Sequence, residues 1–86
     1  MKTSEYCLHS DPDHGWLCVE REEIARLGLS DKISDYSYES GLVYLEEDCD
    51  APLFVRAKLA AGETCTIVRV YSDIRSGIRS LNAYKN

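Results

Sequence analysis

The chain has 86 residues, 44% of them hydrophobic, and a formal net charge of −5. That length supports one domain, residues 1–86, with one core, and it excludes a multi-domain enzyme built around a cofactor crevice. The apolar content and moderate charge exclude a disordered chain, and no apolar run approaches the length that spans a membrane. Met1 to Cys7 contain no apolar h-region, so no secretory signal is predicted and the expected location is the cytoplasm of a bacterial host. Charge is divided unevenly. Residues 1–50 hold 13 acids and 4 bases, a net of −9, whereas residues 51–86 hold 2 acids and 6 bases, a net of +4. The acidic half argues against general nucleic-acid binding, which needs a basic footprint, and suits a partner with a basic surface. The plainer reading of the same charges is a solvated face.

In chain order, Asp11-Pro12-Asp13-His14-Gly15 reads as a turn, and the apolar run over 16–19 as a first strand. Residues 21–27 show helical spacing, with Ile24 and Leu27 inward, Glu22, Glu23 and Arg26 outward, and Gly28 as the terminator. Residues 30–33 add one more helical turn. Two alternating segments, 35–39 and 42–46, flank Ser40-Gly41 and predict a hairpin. A second helix follows, capped by Asp48 or Asp50 and ended by Gly62. Pro52 lies in its first turn, Leu53, Phe54, Ala57, Ala60 and Ala61 form its apolar stripe, and Arg56 and Lys58 lie toward its polar side. The β-branched run over 64–71 is the fourth strand. Residues 72–86 form a polar, basic tail, read as an arm, a short final strand or a partly disordered end. The order β-α-β-β-α-β predicts an α+β domain with a four-stranded, largely antiparallel sheet and two helices on one face, the ferredoxin-like arrangement among its options.

Chemistry-bearing residues are sparse. Cys7, His9, His14 and Cys18 would supply a tetrahedral zinc set, but the spacing lacks a tight C-x2-C pair, so no metal or other cofactor is assigned. Disulfides are not expected, because a chain without a signal peptide meets a reducing compartment. The run Glu46-Glu47-Asp48-Cys49-Asp50 lacks the central glycine of a calcium loop, and helix capping accounts for its aspartates. There is no nucleophile elbow and no phosphate-cradling glycine loop, which points away from an enzyme. Arg69, Tyr71, Arg75, Arg79, Tyr84 and Lys85 would suit single-stranded nucleic acid, against the repulsion of the acidic half.

His14-Gly15-Trp16-Leu17-x-Val19, then Asp31-Lys32-Ile33-Ser34 with Tyr36-Ser37-Tyr38, and Tyr44-Leu45-Glu46-Glu47-Asp48-Cys49-Asp50-Ala51-x-x-Phe54 together resemble a group of small proteins encoded by phages, plasmids and other bacterial mobile elements. The likeness covers about residues 13–55, and no catalytic residue goes with it. What it implies is contextual: small acidic proteins of such elements often act by binding, and many inhibit host defence machinery, as anti-CRISPR proteins do.

The expectation is therefore a non-catalytic inhibitor that binds a host protein or ribonucleoprotein through its acids. The contact residues would be Asp11, Asp13, Glu20, Glu22, Glu23, Glu46, Glu47, Asp48 and Asp50, with Tyr36 and Tyr38 as aromatic anchors and Trp16 in the core. The alternatives are a small zinc module on the cysteine–histidine set and a nucleic-acid accessory protein using the tail. A homodimer through an exposed strand edge, 16–19 or 64–71, is a further expectation.

Overall fold

A computed structural model describes residues 2–71 and 81–85. In chain order the elements are β1 (Lys2–Ser10), β2 (Gly15–Val19), α1 (Arg21–Arg26), β3 (Tyr38–Ser40), β4 (Leu42–Glu46), α2 (Asp50–Ala60), β5 (Glu63–Tyr71) and β6 (Asn82–Ala83). The strands form one mixed sheet in the order β5-β1-β2-β4-β3-β6. Only the β1–β5 pair is parallel; the other neighbours are antiparallel.

The register follows from a side-chain period of two. Leu8 lies opposite Leu17, Leu17 opposite Leu45, and Val19 opposite Val43, so these five buried residues share one face. Ile24 of α1 and Phe54 and Ala51 of α2 join the same cluster, which places both helices on that face. Tyr6 meets Phe54 edge-on, with ring centroids 5.4 Å apart. On the opposite face, where neither described helix packs, Trp16 is buried. It packs between His14 and Tyr38, at centroid distances of 6.0 and 6.2 Å.

The α+β class and the helix-covered face agree with the sequence reading; the sheet is larger and differently ordered. There are six strands among the described residues rather than four, and the order is ββαββαββ. The unexpected first strand, β1, sits between β2 and β5, so the segment over 16–19 is interior to the sheet and not an edge. A ferredoxin-like sheet needs parallel crossovers. Here β2 and β4 run antiparallel, so that arrangement is not formed.

The expected strand over 35–39 shrinks to Tyr38–Ser40, because the Ser34 and Ser37 hydroxyls bond Asp50 and hold the preceding residues in turns. Gly41, at φ 75°, makes the tight β3–β4 turn that a side chain would strain. At the start of α2 no side chain caps the helix: Cys49 occupies the cap position, so the expected cap from Asp48 or Asp50 is not made. The basic tail falls partly outside the described residues, at 72–80. Beyond it, β6 pairs with β3, and Tyr84 is buried with its hydroxyl donating to the Ser30 carbonyl at 2.8 Å. Tyr84 is therefore core and not a base-stacking platform.

Phe54 has no exposed surface and touches the centre of the cluster, whereas Leu59 on the same helix is 56% exposed. Phe54→Ala is expected to cost about 3–5 kcal/mol, lowering the thermal midpoint by roughly 15–25 °C. Leu59→Ala is expected to change stability by less than about 0.5 kcal/mol in the same calorimetric measurement.

Candidate functional site

Three polar constellations organise about half of the carboxylates in the described residues. The first is internal. Lys58, expected on the polar side of its helix, has no exposed surface. Its ammonium donates to the Tyr6 hydroxyl at 2.7 Å and to Glu23 at 3.2 Å, and it lies 3.1 Å from Glu63. Arg26 closes the group with a two-pronged bond to Glu63, at 2.8 and 2.9 Å, and Tyr6 donates to Glu23. Burial alone would lower the Lys58 pKa, but the hydrogen bonds to Tyr6, Glu63 and Glu23 outweigh it and hold the amine charged, above its ordinary range. Hydrogen bonds from Arg26 and Lys58 push the Glu63 carboxyl down to about 2. Burial raises the Glu23 carboxyl, but Tyr6 and Lys58 more than offset this and leave it lowered.

The second constellation is a clamp. Asp50 is buried, and its carboxylate accepts from the Ser34 N–H at 3.1 Å, the Ser34 hydroxyl at 2.6 Å and the Ser37 hydroxyl at 2.5 Å. Ser37 Oγ in turn accepts from the Glu46 N–H at 2.9 Å. One carboxylate at the start of α2 thereby fixes the 34–37 loop against the end of β4, and with it the placement of Tyr36 and Tyr38.

The third constellation faces solvent. An open cleft of about 360 Å³ lies on the sheet face opposite the helices, walled by His14, Trp16, Tyr36 and Tyr38 and rimmed by Asp35, Glu46 and Asp48, with Cys49 at its margin. No lysine or arginine lines it among the described residues. Glu46 is held in place by the Asp48 N–H, which donates to both carboxylate oxygens at 2.8 and 2.9 Å. Glu47 joins this end of the molecule through its N–H, which donates to the Gly15 carbonyl at 3.0 Å. Desolvation and the carboxylates of Glu46, Asp50 and Asp48 push the Cys49 thiol above its ordinary value.

The expected contact residues thus divide. Tyr36, Tyr38, Glu46 and Asp48 converge on the cleft, Asp13 is exposed in the β1–β2 loop, and the Glu47 side chain lines a separate pocket with Leu8, Leu17 and Ala51. Asp35, which sequence reasoning left in a strand, is a rim residue. Glu20 and Glu22 are exposed on and beside α1. Glu23, expected outward, is turned inward to Lys58 and Tyr6. Asp50 is consumed by the clamp. Asp11 is buried, and its carboxylate accepts from the Asp13 and His14 N–H groups at 2.9 and 3.0 Å, closing the β1–β2 loop.

The cysteine–histidine set does not converge. Cys7 and Cys18 are neighbours across β1 and β2, His9 leans on Tyr44, and His14 stacks at Trp16. No group of three or more metal-ligating side chains comes together among the described residues. None of the described helices is long and apolar enough to cross a membrane. Comparison with protein-family models, curated proteins and solved structures returned no match.

Two predictions follow from the internal network. Lys58→Ala strands Glu23 and Glu63 and is expected to cost about 3–5 kcal/mol in urea unfolding at neutral pH. Glu63 is a depressed carboxylate, so its stabilisation is complete above its unfolded value of 4.5 and is lost as pH falls from there toward about 2. The urea midpoint of the wild type is expected to fall over that window. In Glu63→Gln the midpoint is lower at neutral pH and falls less across the window.

Proposed function

We propose that the protein acts by binding, and that it blocks a host nucleic-acid-handling defence complex in the manner of an anti-CRISPR inhibitor. The acidic cleft would lie against an arginine- and lysine-lined surface made for phosphate. The observation that carries this reading is the gathering of Asp35, Glu46 and Asp48 around Tyr36 and Tyr38 with no lysine or arginine among the described lining residues. Carboxylates beside aromatic rings suit the guanidinium and ammonium groups of such a surface, because the ring quadrupole and the charges attract the same cation. The acids also speed encounter with a basic partner while repelling free nucleic acid.

Two further points support the reading. The stretches that resemble mobile-element proteins, at His14–Trp16, Tyr36–Tyr38 and Glu46–Cys49, supply most of the cleft wall. The carboxylates of Asp50, Asp11 and Glu63 are occupied inside the fold, whereas Asp35 and Asp48 at the cleft are exposed.

The test is charge reversal in a bacterium with active CRISPR and restriction systems challenged by phage. Asp35→Lys, Glu46→Lys and Asp48→Lys are combined in one variant, and Glu20→Lys with Glu22→Lys in another. The cleft variant is expected to lose protection of the phage and to weaken capture of the defence complex by roughly 100-fold, on the order of 1 kcal/mol per reversed charge. The α1 variant is expected to retain both. If the cleft variant, folded by circular dichroism, protects as well as the wild type, the reading is wrong.

A further inference from the structure

Two of the four cysteines meet across the sheet. Cys7 of β1 and Cys18 of β2 lie directly opposite in the antiparallel register, so both side chains leave the sheet on one face. It is the face away from the helices, because their chain neighbours Leu8 and Leu17 point into the core. The Asp11 N–H donates to the His14 carbonyl at 2.8 Å and closes the hairpin. Hydrogen-bonded pairs recur at every second residue from there, through 9–16 to 7–18. The Cα atoms of such a pair stand about 5.5 Å apart, inside the range that a disulfide spans. Both thiols are free, and both line one open hollow of about 420 Å³, with His9 and Leu42 beside them. The other two cysteines lie elsewhere: Cys49 precedes α2, and Cys65 packs on the core side of β5.

The facing thiols differ in a way that sets an order of reaction. Cys7 is exposed, whereas Cys18 is half-buried. Burial, with the neighbouring Cys7, pushes the Cys18 thiol above its ordinary value. The thiolate is the nucleophile, so the exposed thiol reacts first and the half-buried one second.

We propose that Cys7 and Cys18 are a peroxide-responsive dithiol that closes reversibly into a cross-strand disulfide, with Cys7 attacking and Cys18 resolving. The Cys7 thiol gives up its proton, and its sulfur attacks one oxygen of hydrogen peroxide. The O–O bond breaks, the second oxygen leaves as water with that proton, and Cys7 becomes a sulfenic acid. The Cys18 sulfur then attacks the Cys7 sulfur. The S–O bond breaks, the hydroxide leaves as water with the Cys18 proton, and an S–S bond remains. Two thiols and one peroxide thus become one disulfide and two waters. Low-molecular-weight thiols reopen it by exchange, and they reach it because Cys7 is exposed. In a reducing compartment the pair rests open, and oxidant closes it, the behaviour of redox-sensing cysteines.

The experiment treats the reduced full chain with a small excess of hydrogen peroxide, alkylates the remaining thiols and measures intact and tryptic masses without reductant. Cys7 and Cys18 share the tryptic peptide over residues 3–21. That peptide is expected two hydrogens lighter and unalkylated, with Cys49 and Cys65 alkylated, and dithiothreitol is expected to restore it. A Cys49→Ser, Cys65→Ser double variant is expected to close in the same way. In Cys18→Ser, dimedone is expected to trap a sulfenic acid on Cys7; in Cys7→Ser, Cys18 is expected to resist it. A chain that keeps all four thiols overturns the proposal, as does one whose links run to Cys49, to Cys65 or between chains. Dimedone on Cys18 in Cys7→Ser, with none on Cys7 in Cys18→Ser, overturns the order of attack. The wild-type masses need no substitution, so they decide the link even where a serine variant fails to fold.

Discussion

An ammonium group with no exposed surface holds four elements of this fold to one another. Lys58 comes from α2, Glu23 from α1, Glu63 from the start of β5 and Tyr6 from β1. A buried charge costs several kcal/mol unless it is paired and hydrogen-bonded, so each of these elements must arrive in place for the others to be tolerated. α1 has only six residues, too few to be stable alone, and it is anchored by Ile24 in the core and Glu23 on Lys58. β5 is anchored at its first residue by the same network, while its later residues run out along an edge with little covering them.

The same arithmetic of charge decides which carboxylates are left to act on other molecules. Glu23 and Glu63 neutralise Lys58 and Arg26, Asp50 holds the 34–37 loop, and Asp11 closes the first hairpin. What remains exposed beside the aromatic wall is Asp35, Glu46 and Asp48. The clamp and the cleft are mechanically linked: Asp50 orders the loop through Ser34 and Ser37, and that loop carries Tyr36 and leads directly into Tyr38 of β3. An acidic surface on a small domain is ordinary. One whose aromatic partners are positioned by a buried carboxylate is better preorganised for a cation, because less side-chain entropy is lost on binding.

The legible parts of the sequence were those set by local rules. The apolar run over 16–19 and the alternation over 42–46 marked two strands. Gly41 marked a hairpin turn, and Gly28 and Gly62 marked helix ends. β1 was missed because its strand pattern is half polar: Tyr6 and Leu8 alternate with Glu5, Cys7 and His9. Its pairing with β5 is also decided by contacts some sixty residues apart. Lys58 was misplaced for a related reason. A lysine on a helix is assigned to water unless its partners are known, and those partners come from three other segments. The expected acidic surface did not separate the acids that the fold turns inward, Glu23, Asp50 and Asp11, from those that line the cleft, Glu46 and Asp48.

By itself, then, the sequence determined the α+β class, the helix and hairpin positions, the core alternation and the uneven charge. These depend on residue type and on neighbours within a few positions. Only the tertiary structure decided that Glu23, Glu63, Asp11 and Asp50 face inward, and that Asp35, Tyr36, Tyr38, Glu46 and Asp48 share a cleft. It also decided that β5 ends the sheet. The physical reason is the same in each case. Whether a charge is buried or exposed, and whether a strand is central or at an edge, is set by which distant segments come to lie beside it, and spacing along one chain does not encode that.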